Sequence, residues 1–247
     1  MSGIKHVDFG SVKSKYVLVC DSDTLGQLET AGASYTLCKI NLQSHKSGHS
    51  GIDIGDKTRA NAAKLIADLI ARLPQGVYYE EEGKVVTSCN LGGIQAGNIK
   101  VTNIINPEAA VSYSIRSSSR QKENELRAVM QNTVEEFQKE YAHLANVSIN
   151  FEEHLPPFEK VDDKFIPEIF KKAAEKVNVT PDITTFHAGA ETHIYANKTN
   201  SKGEKFVPYL VGLATVCNMH TSDEFVDYKT LLKGHELLTE FAKEFWK

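Results

Sequence analysis

Hydrophobic and polar positions follow patterns along the chain that predict a mixed protein of strands and helices. Residues 16–20 form a short apolar, β-branched run of the kind buried inside a sheet, and residues 34–43 alternate as in a strand with one wet face. Residues 58–72 place apolar side chains at helical spacing before Pro74. Residues 119–142 predict a long, charged helix. Its expected inward-facing residues are Leu126, Val129, Met130, Val134 and Phe137.

The order of the predicted elements indicates two parts. Further strands are expected at 84–90, 98–106, 110–115, 146–151, 183–186 and 207–216, and further helices at 164–176 and 229–245. Between residues 34 and 152 the order is strand, helix, strands, helix, strand, which favours a two-layer α+β (ferredoxin-like) module with both helices on one sheet face. We interpret residues 34–152 as an insertion. Residues 1–33 and 153–247 would then form one incomplete α/β unit.

Composition and charge narrow the class of protein. With 28 basic and 32 acidic residues among 247, the net charge of −4 indicates neither nucleic acid nor an anionic membrane as partner. The sequence has no apolar run long enough to span a membrane, and its N-terminus does not resemble a signal peptide. Four widely spaced cysteines predict buried, reduced thiols in a cytoplasmic protein. They are Cys20, Cys38, Cys89 and Cys217.

Candidate chemistry lies near the C-terminus and just after the first strand. His187 and Glu191 share a glycine-containing segment, and an apolar strand then leads to His220. Asp21 comes directly after the first predicted strand. Strand ends of this kind are where α/β sheets bind ligands. By residue type alone, a turn aspartate and a structural histidine remain the simpler interpretation.

The motifs as a whole resemble the co-catalytic zinc peptidases that include aminoacyl-histidine dipeptidase, peptidase T and carnosinase. In those enzymes a His-Ala-Gly-x-Glu segment precedes a strand followed by His-[Ser/Thr]-x-[Asp/Glu]-Glu, and here His187–Glu191 and His220–Glu224 stand in those places. The resemblance covers essentially the whole chain but only the second half of a family protein. It implies an incomplete α/β zinc-peptidase catalytic domain (residues 1–33 and 153–247) with an inserted lid and dimerisation domain (residues 34–152).

The resemblance also implies metal ligands. His220 matches the last zinc ligand of the family, and Glu224 or Asp223 would fix its tautomer. Asp21 matches a zinc-ligating aspartate that ends a strand, with Asp23 as the second choice.

Substrate contacts are implied in the same way. The loop Gly48-His49-Ser50-Gly51 matches the family's lid histidine, which reaches the scissile carbonyl oxygen, often from the partner subunit. Arg116 matches the arginine that holds the substrate carboxylate, and Asn103 matches a polar substrate contact. Glu191 matches a pocket residue near the substrate's free amine. His45 has no counterpart and is given a structural role.

Other parts of the family's machinery have no match. These are an early His-x-Asp, a bridging aspartate and a Glu-Glu pair; His6-Val-Asp8 lies too close to Asp21, and Glu80 to Glu82 reads as a solvated turn. We therefore expect part of a two-zinc dipeptidase or tripeptidase for small peptides, a homodimer through its lid, and a chain that is inactive alone. The alternatives are a non-catalytic binding or dimerisation protein and one half of a split enzyme.

Overall fold

The computed structural model describes residues 3–247; Met1 and Ser2, which open the stretch judged above for a signal peptide, lie outside it. Its strands are β1 (Tyr16–Val19), β2 (Gln27–Gly32), β3 (Tyr35–Ser44), β4 (Gly48–His49), β5 (Gly76–Glu81), β6 (Lys84–Ala96), β7 (Ile104–Ile105), β8 (Glu108–Ser117), β9 (Ala145–Leu155), β10 (Asp182–Phe186), β11 (Val207–Val211), β12 (Val216–Cys217) and β13 (Phe225–Val226). Its helices are α1 (Ala62–Arg72), α2 (Arg120–Tyr141), α3 (Phe165–Lys176), α4 (Thr192–Ala196) and α5 (Tyr228–Phe245). The chain divides into two compact units: a discontinuous unit, made of residues up to Ser34 and Leu155–Lys247, and an inserted unit, Tyr35–His154.

The discontinuous unit is built on a four-stranded mixed sheet in the order β1-β11-β2-β10. β1 is parallel to β11 and β2 is parallel to β10, whereas β11 and β2 are antiparallel. α3 and α5 pack together against this sheet. Their shared core includes Leu28, Phe170, Tyr209, Leu237 and Phe241.

Two features of this sheet differ from the sequence prediction. β2 was not predicted, because Gln-Leu-Glu-Thr-Ala-Gly shows neither alternation nor a β-branched run. The strand predicted for residues 207–216 ends at Val211, since the chain turns at Gly212 and resumes as β12. β12 pairs with β13 in a separate two-stranded sheet.

The inserted unit has two layers, as predicted. Its five-stranded sheet has the order β5-β6-β8-β3-β9, and α1 and α2 contribute to a single core with it. Buried side chains alternate along β8 from Ala109 to Ser117, so one face meets the helices and the other does not. β4 and β7 form a small separate sheet beside the start of β8.

Several local predictions for the inserted unit were wrong. β6 continues through Gly92 and Gly93 with an irregularity in register, where a break was expected. Residues 98–106 contain only the two-residue strand β7. α1 begins at Ala62 because the Asn61 side chain accepts the Ala63 N–H and caps the helix there. Val129 is 40% exposed, unlike the other four expected core residues of α2.

The cysteines match the prediction in part. All four thiols are free, and Cys38 and Cys89 are buried, but Cys20 is exposed and Cys217 is half-buried. Between residues 3 and 247, no helix has the length and apolar character needed to cross a bilayer.

Candidate functional site

The strands that lead to Asp21 and towards His220 are neighbours. β1 and β11 pair in parallel, with Val19 opposite Leu210, so their carboxyl ends lie on the same edge of the sheet. Asp21 follows β1 directly, and β12 and the His220 loop follow β11. β1 and β11 are thus neighbours whose carboxyl ends share an edge, whereas His220 follows β12 in a separate two-stranded sheet. The ligand roles of the two residues stay predictions.

Backbone hydrogen bonds join the segments that follow these two strands. Ser22 N–H donates to Val211 O at 3.4 Å, and Gly26 N–H donates to Gly212 O at 3.0 Å. A Cβ atom at position 212 would lie 1.7 Å from the carbonyl oxygen of Thr24, so only glycine permits this approach. The loop that carries Asp21 and the segment that leads to His220 are therefore held against each other.

His220 lies in the loop that joins β12 to β13. Its φ of 64° and the φ of 56° at Asn218 are left-handed, which tightens this loop. Glu224 accepts the backbone N–H of His220 at 2.6 Å. One oxygen of the Glu224 carboxylate thus binds the backbone of His220, and its role in fixing the tautomer of the ring stays a prediction. Asp223 contributes only backbone atoms to this loop's hydrogen bonds.

The Asp21 carboxylate and the His220 imidazole fit a zinc site by chemistry. Carboxylate oxygen and imidazole nitrogen are both ordinary zinc donors. Both residues are exposed, and within the described part of the chain neither side chain has a hydrogen-bond or ion-pair partner. Across residues 3–247, no three His, Cys, Asp or Glu side chains cluster closely enough to hold a metal ion. Asp21 lies at this edge, and His220 lies in the loop of the β12–β13 hairpin that follows β11.

Sequence reasoning missed Glu29, which lies on β2 beside this edge. Glu29 is 6% exposed. The Ser22 Oγ atom lies 3.1 Å from Glu29 Oε1, and Glu29 Oε2 has no hydrogen-bond partner among the described residues. Burial raises the pKa of the Glu29 carboxyl to about 7, and the charges of Asp23 and Asp182 add to the rise. A glutamate at an inward strand position was the available signal, but β2 itself was not predicted.

In the inserted unit, His49 and Asn103 come together although they are distant in sequence. His49 on β4 pairs with Ile104 on β7, and Ser50 N–H donates to the Asn103 carbonyl at 3.0 Å. The Asp53 carboxylate accepts the His49 backbone N–H at 2.7 Å and packs beside Gly48, where a Cβ would meet it at 2.6 Å. Both candidate side chains are exposed.

The ring of His49 is oriented by its own loop. Its Nδ1 accepts the backbone N–H groups of Gly51 at 3.1 Å and Ile52 at 3.2 Å. Because Nδ1 is an acceptor, the neutral ring carries its proton on Nε2. The sequence-predicted oxyanion donor is thus presented as a free Nε2–H group.

Arg116 lies apart from this pair. It is near the end of β8, on the face away from the helices, and its guanidinium stacks over the Tyr35 ring at 5.0 Å. Tyr35 stacks in turn on His154 at 5.3 Å. Eight residues of strand separate Arg116 from Glu108 at the start of β8, which is roughly 27 Å.

Glu191 is not brought to the edge that carries Asp21. β10 runs antiparallel to β11, so it ends on the other edge of the sheet. Glu191 follows it and occupies the N-cap position of α4 without a side-chain cap hydrogen bond. His193 is fully buried, and its ring nitrogens lie 3.0 Å from the carbonyl oxygens of Ala33 and Ala190, which is a structural arrangement.

Two other residues singled out in the sequence have local roles. Asp8 caps the short 3-10 helix Phe9–Ser11 by accepting the Gly10 N–H. His45 is held by its Nε2, which lies 3.0 Å from the carbonyl oxygen of Ala142.

Comparison with known proteins identifies a domain in the inserted unit and a relative of the whole chain. Residues 40–142, within the inserted unit, match the peptidase dimerisation domain. A curated relative, the uncharacterized protein YqjE of Bacillus subtilis, is 25% identical over 98% of the chain. The chain spans 60% of the length of YqjE.

Solved structures show the same fold. Aminopeptidase PepT from Bacillus cereus superposes with a TM-score of 0.83 at 23% identity, over 100% of this chain and 61% of PepT. Aminoacylhistidine dipeptidase from Vibrio alginolyticus gives 0.65 at 18% identity, over 98% and 68%. The YxeP protein of Bacillus subtilis, a dinuclear metal-binding peptidase of the M20 family, gives 0.63 at 14% identity, over 92% and 55%. The chain therefore has the fold of a portion of these proteins.

Proposed function

We propose that this chain forms the lid and part of the catalytic domain of a zinc-dependent peptidase that hydrolyses dipeptides or tripeptides. The inserted unit is the lid, and the discontinuous unit is the second part of the catalytic domain. The observation that carries this proposal is the parallel pairing of β1 with β11, together with the hydrogen bonds that join the segments following them. The free thiols support a reducing, cytoplasmic location.

The metal site of this proposal uses Asp21 and His220 as ligands. When bound, a pair of zinc ions would polarise the peptide carbonyl and activate a water molecule. Catalytic zinc ions use three protein ligands each as a rule, and Asp21 and His220 are two donors. The remaining ligands and the general base would come from residues outside this chain.

Most of the proposed substrate-binding residues lie in the lid. The Nε2–H of His49 is a donor suited to the oxyanion of the tetrahedral intermediate, and Asn103 lies beside it. The Arg116 guanidinium offers a fork of donors to the substrate's terminal carboxylate. The assignment of Glu191 to the substrate amine rests on its sequence motif alone, because β10 ends on the other edge of the sheet.

The positions of His49 and Arg116 support a homodimer. A dipeptide spans about 7 Å when extended, whereas β8 separates Arg116 from the His49–Asn103 pair by more than about 20 Å. This separation disfavours a single lid as the source of both groups. Two lids related by a two-fold axis can supply one group each.

A second candidate function is a non-catalytic dimerisation protein. It is favoured by the match of residues 40–142 to a dimerisation domain and by the lack of a three-ligand cluster within residues 3–247. In that case the lid is retained for assembly and the edge beside Asp21 carries no metal.

A chimera separates the two candidates. The part of Bacillus cereus PepT that this chain does not cover would be joined to it, and hydrolysis of dipeptides and tripeptides would be measured with and without zinc. The peptidase proposal expects activity that a chelator removes and that Asp21→Ala and His220→Ala each abolish, while the neighbouring Asp23→Asn retains it. A folded, dimeric chimera that hydrolyses none of these peptides would favour the dimerisation protein.

A further inference from the structure

Glu29 is a buried carboxyl group that the proposed mechanism does not use. It lies on β2 opposite Leu210 of β11, and β11 separates β2 from β1. Glu29 is 6% exposed. Its Oε2 has no hydrogen-bond partner in residues 3–247. The charged groups that act on it are Asp23, in the loop after β1, and Asp182, at the start of β10, and both are acidic. An ionised carboxylate is unfavourable in this position, because it is buried and the charges that act on it are acidic.

The hydrogen bonds around Ser22 point to the same protonation state. Ser22 Oγ lies 3.1 Å from Glu29 Oε1 and 2.9 Å from Gln27 Oε1. A hydroxyl has one proton to donate, and an amide oxygen can only accept. Ser22 therefore donates to Gln27, and the contact with Glu29 requires that Glu29 be the donor.

The orientation of the Gln27 amide is set by a further contact. Its Nε2 lies 3.5 Å from Asp182 Oδ2, which places its oxygen towards Ser22. A directed chain results, in which Glu29 donates to Ser22 and Ser22 donates to Gln27. The Ser22 backbone N–H is bound in addition to the Val211 carbonyl, so Ser22 is held at both ends.

We propose that Glu29 is a positioning residue whose protonated form donates its O–H bond to Ser22 and so fixes the loop of residues 20–26 that presents Asp21. If Glu29 ionised, its carboxylate would accept the hydrogen bond from the Ser22 hydroxyl. The Gln27 amide oxygen would then lose its donor. The buried charge would also face Asp23 and Asp182. Ionisation would thus change the hydrogen bonds that hold this loop. The role of Asp21 rests on the proposed function, whereas the proton on Glu29 and the direction of the hydrogen bonds do not.

The wild-type chain tests this proposal by nuclear magnetic resonance. The side-chain carboxyl carbon of Glu29 and the backbone amides of residues 20–26 would be followed between pH 4 and pH 9. Because burial raises the pKa of Glu29, its carboxyl should titrate with a midpoint near 7, and the loop amides should shift with the same midpoint. A midpoint near the ordinary 4.5, or loop amides that ignore the titration, would overturn the proposal.

Two variants supply matched controls. Glu29→Gln keeps a donor towards Ser22, so its loop amides should hold their acidic-form shifts at every pH. Ser22→Ala removes the acceptor of the Glu29 O–H group, so the Glu29 midpoint should fall while the loop amides stop following it. If Glu29→Gln retains the loop titration, Glu29 is not its source and the proposal fails. Failure of the PepT chimera to hydrolyse peptides would leave these titrations unaffected, so the two proposals fail separately.

Thermal unfolding gives an independent measurement. The folded state holds a proton on Glu29 that the unfolded chain releases above about pH 4.5. Folded-state stability from this group therefore falls as the pH rises from about 4.5 to about 7. The difference in melting temperature between Glu29→Gln and wild type should increase across this range. A constant difference would contradict the proposal.

Discussion

Val216 donates its backbone N–H to the carbonyl oxygen of Asp23 at 2.8 Å. The two residues are far apart in sequence, yet this bond joins the loop after β1 to the strand β12 that leads into the His220 loop. Asp227 N–H donates to Thr215 O at 2.9 Å on the other side of the same hairpin. The relative position of Asp21 and His220 therefore depends on backbone hydrogen bonds as well as on the sheet.

The close approach of these segments predicts a strong effect of Gly212→Ala. The new Cβ would lie 1.7 Å from the Thr24 carbonyl oxygen, and backbone atoms would have to move to relieve this contact. We expect a loss of about 1–3 kcal/mol in the free energy of unfolding, measured by urea denaturation. Gly55→Ala is the control, since a Cβ there meets nothing within 4 Å. Equal stability of the two variants would show that the Gly212 contact is not constraining.

The sequence predicted most of the long elements. Helices α2, α3 and α5 and strands β1, β3 and β8 all appear within a few residues of their expected bounds, because each has a clear hydrophobic period and several have capping residues such as Ser119 and Asp227. The missed strand β2 and the early end of β11 share one cause. Both depend on packing between distant segments, at Gly212 and Thr24, which no local pattern records.

The candidate site divides in the same way. The family motif identified His49 and Asn103, and the pairing of β4 with β7 brings them together. Glu29 carries no motif, and its importance arises only from its burial and its missing partner. The sequence also did not show that Arg116 lies at the far end of β8 from Glu108. A motif identifies the residue types of a site but not the positions of those residues in the fold.

The hydrogen bonds of the His49 loop predict one tautomer. Two backbone N–H groups donate to Nδ1, so the neutral ring should carry its proton on Nε2. Nitrogen chemical shifts from long-range proton–nitrogen spectra of the chain distinguish the two forms. In Gly48→Ala, the new Cβ would meet Asp53 Oδ2 at 2.6 Å and disturb the loop, whereas Gly51→Ala adds only ordinary contacts at 3.5 Å. A proton found on Nδ1 in the wild-type chain would contradict this arrangement.

The inserted unit should fold when it is excised. Residues 35–154 form a compact unit with a core of their own, and domains of about 120 residues commonly fold alone. We expect a cooperative thermal transition by circular dichroism and a dimer by sedimentation at micromolar concentration. An unfolded segment would refute both expectations, and a folded monomer would refute the lid-mediated dimer. Phe137→Ala, which removes a fully buried ring from this core, should cost about 3–5 kcal/mol and serves as the destabilised reference.

Zinc binding by the chain should be weak and should depend on two residues. Asp21 and His220 each offer one donor, and a two-donor site lacks the third protein ligand usual for catalytic zinc. We expect calorimetric titration of the chain to show weak binding that falls at least about tenfold in Asp21→Ala and in His220→Ala. Asp23→Asn is the matched control, because it keeps the loop length and the backbone bond to Val216.

Hydrolysis of an Xaa-His dipeptide by the chain alone should be undetectable, and a rapid, zinc-dependent rate that survives His220→Ala would contradict the site assignment. Loss of binding in Asp23→Asn with no loss in Asp21→Ala would move the carboxylate ligand to Asp23.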